Sequence, residues 1–153
     1  MDKVAQIVER DDLYNGIIHA QRSEPEATVA DAISAAARTI AETLKVPAIV
    51  CYTGTGSTGL RVARERPSMP ILALTPIAGT ARRLCLAWGT HCVVVPDAQS
   101  VDEMFERAGE VATREGFTKP GDRILITAGV PVGTPGTSNM LRVATIGADG
   151  KGI

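Results

Sequence analysis

The residues whose types and spacing could do chemistry lie in one short run, Thr53-Gly54-Thr55-Gly56-Ser57-Thr58-Gly59. Hydroxyls alternate with glycines there, so side-chain oxygens and backbone N–H groups are crowded together with little bulk to cover them. Ahead of the run, Ala48-Ile49-Val50-Cys51-Tyr52 is a continuous apolar stretch, preceded by Lys45-Val46-Pro47, of the kind that fills a central strand. Behind it, Leu60-Arg61-Val62-Ala63-Arg64 resumes helical character. A strand that ends in a Gly/Ser/Thr turn at a helix N-terminus presents unpaired amides and the positive end of the helix dipole, which together favour an anion. Such a loop is equipped to bind rather than to turn over a substrate.

Two nucleotide motifs compete for the same glycines. Gly54, Gly56 and Gly59 have the Gly-x-Gly-x-x-Gly spacing of dinucleotide sites, but the next strand, Ile71-Leu72-Ala73-Leu74, runs into Thr75-Pro76 without the acidic residue that holds ribose hydroxyls. A P-loop needs Lys where Leu60 stands. The glycines equally suit a plain turn returning the chain from strand to helix, and spacing alone leaves both readings open. No nucleophile–base pair, metal cluster or pair of carboxylates stands at working distance along the sequence. Cys51, Cys85 and Cys92 are odd in number and sit in apolar surroundings, as reduced core thiols would, and their spacing is not that of a zinc site. His19 reads as a surface residue and His91 as a strand-edge residue.

The elements that must position the loop follow from hydrophobic period. Asp2 to Arg10 places Val4, Ile7 and Val8 on one helical face, whereas Asp11 to Ala27, with Gly16 and Pro25, shows no sustained period and is expected to be a connecting segment. Thr28 is a helix N-cap with Asp31 in the capping-box position, and Val29, Ile33, Ala36, Ala37, Ile40 and Leu44 form an apolar stripe behind it. Thereafter strands at 48–53, 70–75, 91–95 and 123–128 alternate with helices near 57–66, 78–88 and 100–115, the last closed by Gly116. The loop Gly129 to Asn139 is too rich in Gly, Pro and Thr for a helix, so the final strand, Leu141 to Ile146, is expected to run antiparallel to its predecessor. The pattern predicts an α/β fold of three layers, a mostly parallel five-stranded sheet with an antiparallel last strand and helices on both faces. Its switch point would be strand 48–53, where the loops after 53 and after 129 face one another.

Composition narrows the partners. A net charge of −1 across 153 residues builds no basic stripe for nucleic acid. No apolar run approaches the roughly 20 residues that span a bilayer, and the charged N-terminus does not read as a signal peptide, so a cytoplasmic protein without membrane contact is expected. With 3% aromatic residues the core must come from Ala, Val, Ile and Leu.

The run Thr53 to Gly59, followed by Ala63-Arg64-Glu65-Arg66-Pro67-Ser68-Met69-Pro70-Ile71-Leu72-Ala73-Leu74-Thr75, resembles the C-terminal domain of pyruvate kinase. Thr28-Val29-Ala30-Asp31-Ala32-Ile33, Thr80-Ala81-Arg82, Gly121-Asp122-Arg123-Ile124 and Gly133-Thr134-Pro135-Gly136-Thr137-Ser138-Asn139-Met140-Leu141-Arg142-Val143 match the same family in the same order. The Met1 to Arg10 helix is similar to the last helix of that enzyme's barrel, so residues 1–27 would be its end and connector and 28–153 the C-terminal α/β domain. Phosphoryl transfer from phosphoenolpyruvate to ADP, with magnesium and potassium, belongs to the barrel in this family, so the resemblance implies no cofactor and no active site in this chain. It implies instead a regulatory and subunit-interface domain of a homotetrameric parent, self-associating through the last strand.

Carried over residue by residue, Thr53, Thr55, Gly56, Ser57 and Thr58 correspond to the family's effector-phosphate loop, and Gly133, Thr134, Gly136 and Thr137 to its closing flap. Members that respond to fructose bisphosphate carry a Trp and an Arg just before and early in the helix that here begins near Ser100. This sequence has Met104 and no Trp there, since Trp88 lies in the preceding helix region. The expected ligand is therefore AMP or a hexose or pentose monophosphate rather than fructose bisphosphate. The alternative is a purely structural oligomerisation domain without effector binding.

Overall fold

The computed structural model describes residues 2–9, 11–20, 24–131, 134 and 137–153. The flap positions Gly133 and Gly136 lie outside them, as does the side chain of His19. The chain runs α1 (Asp2–Glu9), α2 (Asp12–Ala20), α3 (Val29–Leu44), β1 (Ile49–Tyr52), α4 (Ser57–Arg64), β2 (Ile71–Thr75), α5 (Ala78–Leu84), β3 (Thr90–Val94), α6 (Val101–Arg114), β4 (Arg123–Ala128) and β5 (Met140–Thr145). The five strands form one sheet in the order β3-β2-β1-β4-β5, with parallel pairs throughout except antiparallel β4–β5. This is the expected mixed sheet, with its order reversing at β1.

Period two sorts the sheet into its faces. Val50, Tyr52, Leu72, Leu74, Ile124 and Ile126 point to α6 and pack with Phe105, Ala108 and Val111. Ile49, Cys51, Ile71 and Leu125 point the other way, to Ala37 and Ala41 of α3 and Val62 and Ala63 of α4. Ile49, Val50, Ile71, Leu72 and Leu74 are wholly buried, and each such side chain contributes about 1.5–3 kcal/mol relative to exposure. The centre of the sheet is therefore the firmest part of the molecule, and the loops leaving β1 and β4 are anchored on it.

Several expectations are corrected. Residues 12–20, read as a connector, form α2, because Leu13 and Ile17 are spaced one helical turn apart and Gly16 at an exposed position breaks nothing. The apolar faces of both N-terminal helices stand open, with Ile7 70% and Leu13 77% exposed. On α3 the buried face consists of Asp31, Ser34, Ala37 and Ala41, while Val29 from the expected stripe is 66% exposed. Small side chains let α3 lie close on the sheet and α4, and Asp31 is drawn inward by two arginines. α5 ends at Leu84, so Trp88 belongs to the turn after it rather than to the helix; there Arg66 stacks its guanidinium 5.1 Å from the indole. Of the three thiols only Cys51 is buried; Cys85 is exposed and Cys92 half-buried.

The last strand also differs from a free edge. Thr145 exchanges both backbone hydrogen bonds with Ile153 at 2.9 Å, and Ile146 bridges to Gly152. Residues 152–153 thus cover the end of the outer edge, and among the described residues no strand pairs with the part nearer Met140. That tail lies tight on α6, since a Cβ on Gly109 would stand 2.1 Å from the Gly152 nitrogen.

Candidate functional site

β1 and β4 are neighbours, so the turn after Tyr52 and the loop after Ala128 leave adjacent carboxyl ends of the sheet. Between them lies a hollow of about 260 Å³ whose wall includes Thr53, Thr55, Ser57 and Thr58 on one side and Gly129, Thr134 and Thr137 on the other. The two loops singled out by residue type are therefore brought to one place by topology.

The glycine turn is shaped by α5 behind it. Gly56 has φ +94°, a left-handed conformation, and a Cβ there would stand 3.3 Å from Thr80 Cγ2. A Cβ on Gly59 would stand equally near Leu84 Cδ1, at 3.3 Å. The Thr80 hydroxyl donates to Gly54 O at 2.9 Å, and the Arg83 guanidinium donates to Thr55 O at 2.9 Å. The loop is thus held from behind by its carbonyls, which leaves its amides on the open side. Thr53 Oγ1 accepts from the Gly56 amide at 2.8 Å, so one amide of the turn is used internally. Gly56 caps α4 without a side chain, and the first intrahelical bond runs from the Leu60 amide to Gly56 O. Among the described residues nothing accepts from the amides of Ser57, Thr58 and Gly59. Three donors that no described residue engages, at a dipole's positive end with the Arg83 charge behind them, are the kind of group that can accept an anion.

The hydroxyls divide by role. Thr55 Oγ1 donates to Ser57 Oγ at 3.2 Å on the exposed rim. Thr58, only 6% exposed, shares a 2.6 Å hydrogen bond with Ser138, itself buried. That pair pins the start of α4 to the far end of the β4–β5 loop. Asn139 closes the loop's stem, accepting from the Val130 amide at 2.8 Å and donating to the Val130 carbonyl at 2.6 Å. Thr137 donates to Thr134 O at 2.9 Å, and Gly129 is required where the loop returns, because a Cβ would overlap Thr137 O. Ser138 and Asn139 were legible only as loop formers; Asn side chains commonly satisfy local backbone, but that signal names no partner.

The rest of the hollow has a different character. Leu74, Pro76, Ile77 and Met104 form an apolar wall, and Asp97 is the one charged side chain among the described lining residues. Tyr52 donates its hydroxyl to Met104 O at 2.9 Å, and burial holds its phenol well above the usual range. Among the described lining residues there is no Lys or Arg for a second phosphate. Two paired cations, Arg61 and Arg64, line a separate hollow beyond Ser138 and Asn139 and are engaged by Asp31 at 3.2 and 2.6 Å. The Arg64 hydrogen bond, outweighing the opposing effect of burial, holds the Asp31 carboxyl below the ordinary carboxylate range.

A family profile described as pyruvate kinase, alpha/beta domain matches residues 31–144. The chain belongs to the pyruvate kinase family. Pyruvate kinase of Methylorubrum extorquens is 53% identical over 146 residues, covering 95% of this chain and 30% of the relative. Those of Geobacillus stearothermophilus and Sporosarcina psychrophila are 38% and 35% identical over 156 residues, covering the whole chain and 27% of each relative. The chain therefore spans about three tenths of the length of these curated relatives, and it corresponds to their C-terminal part. The metal sites of pyruvate kinases lie in the other domain, and among the described residues no three His, Cys, Asp or Glu side chains gather to hold an ion. No described helix is long and apolar enough to cross a membrane.

Proposed function

We propose that this domain is the regulatory unit of a pyruvate kinase and binds a small phosphate monoester between the Thr53–Gly59 turn and the Gly129–Asn139 loop. The supporting observation is the run of amides from Ser57 to Gly59 that no described residue engages, with Ser57 and Thr58 lining a hollow walled by both loops. The phosphate sits on these amides, with the Ser57 and Thr55 hydroxyls at its rim and Thr134 and Thr137 closing over it. The apolar wall and single carboxylate suit AMP or a sugar monophosphate better than fructose bisphosphate, whose second phosphate would meet Asp97 instead of a cation. The parent reaction, phosphoryl transfer from phosphoenolpyruvate to ADP, is assigned to the barrel. Ligand closure of the two loops would bias the quaternary state of the whole enzyme, a coupling typically of about 1–3 kcal/mol.

Calorimetry with AMP, ribose 5-phosphate, glucose 6-phosphate and fructose bisphosphate tests the reading. One of the monophosphates should bind more tightly than inorganic phosphate, and Ser57→Ala should weaken it about tenfold, the loss of one hydrogen bond to a charged group. Binding of none of the four beyond inorganic phosphate sinks the proposal.

A structural reading has its own observation: the exposed apolar faces of α1 and α2, with Val4, Ile7, Leu13 and Ile17 open to solvent. Together with the open part of β5 they support a role in subunit contact. Sedimentation over a range of concentrations tests the structural reading: association without ligand favours it, and a strict monomer at high concentration counts against it.

A further inference from the structure

Two of the three thiols are neighbours across the sheet's edge. Cys85 caps the C-terminus of α5, its amide donating to Ala81 O at 3.1 Å. Cys92 lies on β3 opposite Ala73 of β2. The Leu84 side chain packs over that same strand, since a Cβ on Gly59 would touch both Leu84 Cδ1 at 3.3 Å and Ala73 Cβ at 3.9 Å. The end of α5 thus rests on the face of the sheet to which Cys92 points, and the Cys85 thiol lies near enough to raise that of Cys92. Cys85 is exposed, Cys92 half-buried, and Cys51 buried beneath α3 and α4 where no reagent reaches it.

We propose that Cys85 and Cys92 are a modification site that takes a low-molecular-weight disulfide as oxidant and closes reversibly to an intramolecular disulfide. The accessible Cys85 thiolate attacks one sulfur of the oxidant, forming a mixed disulfide and releasing one thiolate. Cys92 then attacks Cys85 Sγ, its proton passing to the second departing thiolate, so one small disulfide becomes two small thiols and the protein loses two hydrogens. The order of attack follows from environment: burial and the neighbouring Cys85 raise the Cys92 thiol to about 11, so it stays protonated until the mixed disulfide is beside it.

The site is joined to the phosphate loop through α5. Leu84 fills the space beside Gly56 and Gly59, and Thr80 and Arg83 hold the Gly54 and Thr55 carbonyls. Joining Cys85 covalently to β3 draws the end of this seven-residue helix inward and moves the back wall of the loop with it.

The test is treatment of the purified chain with oxidised glutathione, followed by alkylation, digestion and mass analysis. The expected product lacks two hydrogens, carries a Cys85–Cys92 crosslink that dithiothreitol reverses, and retains Cys51 as a free thiol. Cys92→Ser should instead trap a glutathione adduct on Cys85, and Cys85→Ser should leave Cys92 unmodified. A stable adduct on wild-type Cys85 with Cys92 still alkylated overturns the proposal, and so does an unmodified protein. Hydrogen exchange over residues 53–60 without any ligand should differ several-fold between oxidised and reduced protein; identical exchange overturns the link to the loop, independently of whether a phosphate ester binds there.

Discussion

At the start of α6, Ser100 accepts from the Glu103 amide at 3.2 Å, and the Glu103 carboxylate accepts from the Gln99 amide at 2.7 Å. At the start of α3, Thr28 accepts from the Asp31 amide at 3.2 Å, and the Asp31 carboxylate accepts from the Glu26 amide at the same distance. The start of α4 has neither device. Gly56 offers no side chain, its own amide is taken by Thr53, and no described residue takes the next three amides. A helix start closed by its own side chains is structural. One left unclosed by the described residues, at the carboxyl end of the central strand and under a neighbouring loop, is where the proposed phosphate would gain most, because orphan amides gain a charge-assisted bond from an anion small enough to enter.

That contrast can be broken from either side. Ser57→Asp supplies α4 with the acid that α3 and α6 already have near their starts, and it should produce the largest change. A carboxylate about 5 Å from a bound phosphate repels it by roughly 3 kcal/mol at an intermediate dielectric, about a hundredfold in affinity, whereas the helix itself gains some tenths of a kcal/mol. Calorimetry against thermal melting should thus show binding and stability moving in opposite directions, and a parallel fall in both contradicts the open-start reading. Ser100→Ala is the converse. It should lower stability by about 1 kcal/mol in urea unfolding and leave phosphate-ester affinity unaltered, since the α6 start makes no anion site. The smallest effect concerns Asp31. Its carboxyl titrates lower folded than unfolded, so its contribution to stability is fully present above the ordinary aspartate value near 3.9 and is lost as pH falls through the folded value. Asp31→Asn should flatten the acid limb of the stability–pH curve, and an unchanged limb would show that the arginines gain nothing from the charge.

The closed starts were partly legible. Thr28 with Asp31 announces itself as a cap, and Gly116 takes the left-handed C′ position after α6, with φ +80° and the Phe117 amide returning to Ala112 O. The strands β1, β2 and β4 were legible because parallel strands buried on both faces leave continuous apolar runs. What failed did so for identifiable reasons. The face of α3 turned because Asp31 is satisfied by Arg61 and Arg64 from another helix, and a period count scores an aspartate as outward. The α2 helix was missed because one glycine and scattered charges mask a two-residue apolar face.

From residue types and order alone came the alternation of strand and helix, the Gly-Ser-Thr turn after the central strand, and the family membership, because backbone freedom, hydroxyl chemistry and apolar period are local properties. Tertiary structure decided which amides no described residue engages, since that depends on Thr53 reaching back to Gly56 and on α5 holding the carbonyls from behind. It also decided that Thr58 is spent on Ser138, eighty residues away, that the C-terminus covers part of β5, and that Cys85 meets Cys92. Each of these depends on how separate elements are brought together, and residue types along a chain do not encode which group will arrive to satisfy a polar atom.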